Sequence, residues 1–430
     1  MSTLLSLLAA ASPGLANGQS THIWITQHAL EHLPDGELKE LLTDPALEPM
    51  LINGAMFPDG GYPLDDPYAE IAHWEPFQDR YRDWIAAHYS PPYTDEGAQH
   101  VAFLMGMASH GMADQVFDAL YYPRGQQHDP DSDFGGFESF DTATDVVWMS
   151  IAGPVELPED QVPTDTLVQL YAEHGHEVSA DTLATGQSLL RIAVEWVGNM
   201  AALPEQVDYY AGLFPWMNSH LDDPTVSGNP PCEGEVVAAY WQSVWARLHG
   251  DLALDPEIIA IFPRSGYGLD TDHTRVESRI SVAFAQAIVQ ESLPDPPVVV
   301  TDEDGNAVAV DTWLYYGDNS HVLHIQPVDD WRPDTTYTVH IVDGIRTIDG
   351  QQTTGDTRFT VSTAAPPDDG STAGGDTGGG RAEDDRGAAG GCAGSSGSAG
   401  LLVVLPWALA GRSRRDPSPA PGRWRRRWRW

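Results

Sequence analysis

Between Thr21 and Leu293 apolar side chains recur every three or four positions in stretch after stretch: 26–33 (TQHALEHL), 79–89 (DRYRDWIAAHY), 98–120 (AQHVAFLMGMASHGMADQVFDAL), 164–175, 180–203, 234–250 (GEVVAAYWQSVWARLHG) and 272–293 (DHTRVESRISVAFAQAIVQESL). That spacing puts them on one side of a 3.6-residue helix, and segments rich in Pro, Gly and Asp separate the stretches. An all-α domain is therefore expected over 19–293. After Pro294 the texture changes to short β-branched runs broken by Asp-Gly turns, as in VVVTDEDGNAV, TTYTVHIVDGI and TRFTVST. Strands at such close, regular spacing predict a small all-β sandwich over 294–364. Residues 365–391 are Gly, Ser, Asp and Ala with almost no large apolar side chain, so the pattern predicts a disordered linker there.

Composition changes this picture at the two ends. The stretch LLSLLAAASPGLANG is apolar and then small-residue-rich, which is expected of an export signal over 1–18 with cleavage near Ala16, although a basic start is missing. At the other end a segment over 392–415 holds Cys392 among small residues, a short apolar run with Pro406, and arginines; a basic tail rich in Arg and Trp follows over 416–430. The apolar run is short for a membrane span. The net charge is −41, and because 8 of the 22 basic residues lie beyond residue 411, the rest of the chain is more acidic still. So acidic a body repels polyanions, and no nucleic-acid partner is expected. The two cysteines, Cys232 in a Pro-rich segment and Cys392 in a Gly/Ser tract, are not expected to pair.

The chemistry concentrates in SHGMADQVFDAL, where His110, Asp114 and Asp118 stand four residues apart in an apolar helix. Each step of four turns the side chain by only about 40°, so the three share one side at intervals of roughly 6 Å. Imidazole and carboxylate are donors that zinc accepts, and an ionised aspartate inside an apolar helix needs a counter-cation; a solvent-facing polar stripe or a buried His–Asp hydrogen bond would give the same spacing. Further candidates are Asp59 in FPDGG, His73 in AHWEPF, His22 and His28 in THIWITQHAL, and His128, Asp129, Asp131 and Asp133 in GQQHDPDSDFGG.

The order STHI, FPDGGYP, AHWEPF, VAFLMGMASHGMAD, DFGG resembles the zinc-dependent phospholipase C/D family in its glycosylphosphatidylinositol phospholipase D-like version, motif by motif over about 20–150. The resemblance implies a helical domain holding up to three zinc ions that hydrolyse phosphate esters. It implies metal ligation by His22, Asp59, His73, His110, Asp114, Asp118, His128 and Asp133, with Asp59 also a candidate catalytic base. Asp59, His73, His110 and Asp114 form one complete site. Where the family has histidines, this chain has Asp118, Asp129 (His128 precedes it) and Gln27 (His28 follows it). Such exchanges favour calcium, magnesium or manganese at the altered positions. The β segment resembles bacterial Ig-like modules, and 392–415 resembles myxobacterial C-terminal sorting signals, which implies a cell-surface anchor through Cys392.

These readings converge on an expectation: a secreted, surface-tethered phosphodiesterase using metal-activated water on a phospholipid or related phosphate ester, working at a membrane surface. Tyr62, Trp74 and Phe77 are candidates for the site mouth, with core packing as their simpler role. A metal-stabilised surface adhesin and a single-strand nuclease or nucleotidase are the alternatives.

Overall fold

The computed structural model describes residues 17–130, 135–251, 258–264, 267–353 and 357–363. The export signal, the linker, the sorting segment with Cys392, the basic tail, and Asp131 and Asp133 lie outside the described residues. The helices are α1 (Gln19–His32), α2 (Glu37–Leu42), α3 (Glu48–Met56), α4 (Tyr68–His73), α5 (Glu75–His88), α6 (Asp95–Val116) and α7 (Tyr122–His128). They continue with α8 (Phe140–Ala152), α9 (Thr164–His174), α10 (Ala180–Ala201), α11 (Pro204–Leu213), α12 (Pro215–Asn218) and α13 (Pro230–Leu248). Among the described residues no helix is long and apolar enough to cross a membrane.

Helix α6 is the axis of the helical domain. Thr94 caps it by accepting from the Gly97 N–H at 3.2 Å, and residues 100–116 are buried without interruption. A helix buried on every side needs small residues where neighbours cross it. A Cβ on Gly106 would lie 2.2 Å from the Leu51 carbonyl oxygen, and one on Gly54 would lie 2.4 Å from that of Phe103. Two glycines thus let α3 and α6 touch backbone to backbone. Gly111 does the same for the end of α4, since its Cβ would meet the His73 carbonyl oxygen at 2.3 Å. After Val116 the helix widens into a π-helical turn, Phe117–Tyr121, which carries Asp118. Such turns often mark functional positions because they shift the side-chain register.

The β domain is two four-stranded antiparallel sheets. One has the order β1 (Ile258–Phe262), β2 (Ile280–Phe284), β6 (Val322–Pro327), β5 (Val310–Leu314); the other has β4 (Ala307–Val308), β3 (Val298–Thr301), β7 (Thr336–Ile341), β8 (Thr357–Ser362). Its own core gathers Ile280, Val282, Phe284, Leu323, Ile325, Trp331, Val339 and Ile341. The sandwich was expected, but it starts earlier than residue 294. The stretch 272–293, expected as a helix, is a short 3₁₀ turn (Val276–Ser278), strand β2 and a second 3₁₀ turn (Gln290–Ser292). All five residues of β2 are buried, between β1 and β6. A strand buried on both faces reads as a continuous apolar run, which periodicity cannot tell from a helix.

Helical and β parts share a core: Phe262, Ala283 and Val322 belong to the same buried cluster as Val101, Leu104, Val237 and Trp241. A buried ionic knot reinforces the seam. Arg247 of α13 meets Glu75 of α5 at 2.6 Å, and the other Glu75 oxygen receives the Ala287 N–H at 2.5 Å and lies 3.2 Å from His321 Nε2. Burial works against the Glu75 charge, but Arg247 and His321 outweigh it and bring the carboxyl down to about 2.

Candidate metal centre

Three elements bring the first site together. His110 and Asp114 come one turn apart on α6, His73 ends α4, and Asp59 sits in the 3₁₀ segment Phe57–Leu64. His73 Nδ1 donates to the Ala69 carbonyl at 2.6 Å and His110 Nδ1 donates to the Ala55 carbonyl at 2.7 Å. Both rings therefore turn Nε2 inward, with the outer N–H fixed by backbone as metal-binding histidines require. The Nε2 atoms are 3.1 Å apart. Asp59 Oδ1 is 3.1 Å from His73 Nε2 and 3.5 Å from His110 Nε2, and Asp114 Oδ2 is 3.4 Å from each. A tetrahedron with zinc arms of roughly 2.0–2.1 Å has edges of about 3.3 Å. Five edges of this four-atom cage run from 3.1 to 3.5 Å. The donor types and these five spacings suit a zinc ion, with His73, His110 and Asp114 as one close group and Asp59 in another with His22 and His110.

His22 stands beside this cage. Its ring stacks on His110 with centroids 3.7 Å apart, and Nε2 lies 3.0 Å from Asp114 Oδ1, the oxygen that the cage does not use. Neither ring nitrogen of His22 has a hydrogen-bond partner, and neither does Asp114 Oδ1. Asp114 can thus bridge, one oxygen to each of two cations. His22 owes its place to Asp145 of α8, which accepts the Thr21 N–H at 2.7 Å and the Ser20 N–H at 3.2 Å and so caps α1 from outside. Burial pushes the Asp145 carboxyl up to about 6, against the pull of those donors.

Electrostatics point the same way. Burial opposes a charge on His73, yet the Asp59 and Asp114 carboxylates outweigh it and raise its pKa to about 9. Asp59 is held well below the carboxylate range despite its burial, mainly by His110. Asp118 and Glu233 are driven far upward by burial, and Asp114 adds to both. Buried carboxylates that repel one another, with orphaned oxygens on Asp114, Asp118 and Glu233, form a pocket short of positive charge.

Among the described residues the third expected site has no assembled set of ligands, and Asp133, one of those expected, lies outside them. His128 Nε2 pairs with Glu277 at 2.6 Å, its ring stacks on Trp216 at 4.3 Å, and among the described residues it joins no group of three potential ligands. The Asp129 carboxylate accepts the Trp216 and Met217 N–H groups at 3.1 Å. Both residues fasten neighbouring segments. His28 stacks on Trp24 at 4.5 Å and pairs with Glu31, away from the cage. Phe77 is fully buried against Tyr171, whereas the half-buried Tyr62 and Trp74 are both held by Glu70, with Tyr62 5.5 Å from the His73 ring.

Sequence reasoning missed five residues, Gln19, Asn17, Glu233, Asp145 and Tyr316. Gln19 donates to the outer oxygen of Asp59, Asn17 donates to Glu233, Asp145 places His22, and Tyr316 donates to Asp118 Oδ2. A charged residue within an apolar helical run was the available signal for Asp145; Glu233 was hidden in NPPCEGE, which reads as a loop but starts α13, with Asn229 as its cap.

Residues 21–173 match the family model described as zinc dependent phospholipase C, and residues 254–363 match that of the bacterial Ig-like domain. An alignment of 135 positions, which covers 29% of this chain and 16% of the other, shows 36% identity to the phosphatidylinositol-glycan-specific phospholipase D of Bos taurus. The same enzyme of Rattus norvegicus is 33% identical over 132 residues, 28% of this chain and 15% of that one. The matched stretch thus spans about a sixth of the length of these curated relatives. The solved Alpha Toxin from Clostridium Absonum covers 81% of this chain and all of its own, at 10% identity and a TM-score of 0.22, too low to mark a shared fold. Residues 21–173 are thus similar to the zinc dependent phospholipase C family, and residues 254–363 to the bacterial Ig-like domain.

Proposed function

We propose that this chain is a metal-dependent phosphodiesterase that hydrolyses a phospholipid or a related phosphate ester. The observation that carries the reading is the cage of His73, His110, Asp59 and Asp114, with His22 on the bridging side of Asp114. Zinc held there would supply Lewis-acid chemistry, acidifying water and neutralising phosphate oxygens. Asp59 holds one oxygen in the cage and keeps the other on Gln19, so its direction is fixed; we assign it the task of directing the attacking water. Tyr62 and Trp74 form the rim that an acyl chain or headgroup would pass. Bound cations would let a protein of net charge −41 admit an anionic substrate.

Export through the N-terminal apolar segment and surface tethering through Cys392 belong to the same proposal and rest on the sequence alone. The test is the full chain loaded with zinc and offered choline phospholipid vesicles beside single-stranded DNA. Lipid turnover that disappears with a chelator and returns with zinc is expected. Turnover of DNA alone would move the assignment to a nuclease. The pairing of His128 with Glu277 and of Asp129 with the Trp216 and Met217 N–H groups favours one other reading, a metal-stabilised surface adhesin, which predicts bound metal with no turnover of either substrate.

A further inference from the structure

The turn between β5 and β6 reaches the metal centre. Its tip is the 3₁₀ segment Gly317–Asn319, and the hydroxyl of Tyr316, just before it, donates to Asp118 Oδ2. The Tyr316 ring packs edge-on against Trp74, centroids 4.8 Å apart, next to His73 in the chain. The tip is not loosely placed. Gln115, adjacent to Asp114, donates to the Asn319 carbonyl at 3.1 Å and accepts the His321 N–H at 2.7 Å, while Glu75 lies 3.2 Å from the His321 ring. Tyr316 is thus clamped by bonds whose other ends lie on α5 and on the ligand-bearing stretch of α6.

We propose that the Ig-like domain is a working part of the metal centre, with Tyr316 as a positioning residue that holds Asp118 ready for a second cation next to the cage. The inference rests on the phosphodiesterase reading, and it assigns to the β domain a task that a spacer or tether would not have. Asp118 has two oxygens; Tyr316 engages Oδ2, and Oδ1 is buried with no partner. A ligating histidine is oriented by an acceptor for its outer N–H, whereas a ligating carboxylate is oriented by a donor to its outer oxygen. A phenol is such a donor, and a phenylalanine would pack against Trp74 equally well without supplying it. The aspartate on α6 and the tyrosine on the β domain therefore make one unit, and the resulting second position is richer in oxygen donors than the first.

The test compares the full chain with Tyr316→Phe, each dialysed against zinc, by metal content per chain, zinc titration, and hydrolysis of the soluble diester bis(4-nitrophenyl) phosphate. Wild type is expected to hold two ions. The variant is expected to keep the first, to bind the second about tenfold or more weakly, and to lose kcat with KM little changed, as removing a bond to a charged group implies. A melting temperature within a few degrees of wild type would separate this from a packing defect. Equal second-ion affinity and equal kcat in the two proteins would overturn the inference. A wild type that turns over substrate with a single ion would overturn it too, while leaving the phosphodiesterase in place; a wild type with no ion would remove both. Should Tyr316→Phe fail to fold, amide exchange in residues 315–321 of wild type serves instead: slower exchange on zinc addition is expected, and unchanged exchange would overturn the inference.

Discussion

Asp114 works with both carboxylate oxygens, one on the cage with His73 and His110 and one on His22. Asp114→Ala should strip the chain of zinc and lower diester hydrolysis by about a thousandfold, measured as metal content and kcat. His128 offers the opposite case. Its imidazole serves Glu277, so His128→Ala should leave zinc content and turnover unchanged and cost about 1–2 kcal/mol of stability in a denaturant titration. The four residues that meet in the cage were legible in the sequence, because they sit in short motifs: PDGG, HW and HxxxD. The fate of His128 was not, since Glu277 and Trp216 approach from remote segments that no local pattern records.

At the scale of elements, glycine decides the geometry. Gly54 and Gly106 let α3 and α6 meet, and that contact places the Ala55 carbonyl where His110 needs it. Gly106→Ala would drive a methyl group into a backbone oxygen that has nowhere to move. A loss of about 2–3 kcal/mol is expected, with weakened zinc binding because the His110 acceptor shifts, readable by melting and by zinc titration. The helical core was predictable because its stretches are long and keep one period. Strand β2 was not: SVAF within SRISVAFAQAIVQ carries as much helical as strand signal, and only its burial between β1 and β6 decides the outcome. The π-helical turn at Asp118 escaped for a similar reason. A spacing of four assumes an unbroken α-helix, and after Val116 the register changes.

For the whole molecule, the seam between helical and β parts matters most. Charge composition spoke against polyanion partners, but nothing in it announced a buried knot of Glu75, Arg247 and His321 across that seam. Glu75→Gln leaves Arg247 buried without its nearest counter-charge and should cost about 3 kcal/mol at neutral pH. The Glu75 carboxyl titrates lower in the folded chain, about 2, than its ordinary 4.5. Its contribution is therefore complete above about 4.5 and is lost as pH falls toward 2, so the gap between wild type and variant should close over that window in melting curves. The two domains should also unfold as one transition, because their apolar residues share a cluster.

The central claim is that the four-atom cage is a zinc site that hydrolyses phosphodiesters. Its most direct test is elemental analysis of the folded, purified full chain, coupled to phosphodiester turnover on the same sample. At least one zinc per chain, with turnover that falls on chelation and returns on zinc addition, is predicted. A folded chain that takes up no zinc at neutral pH would contradict it.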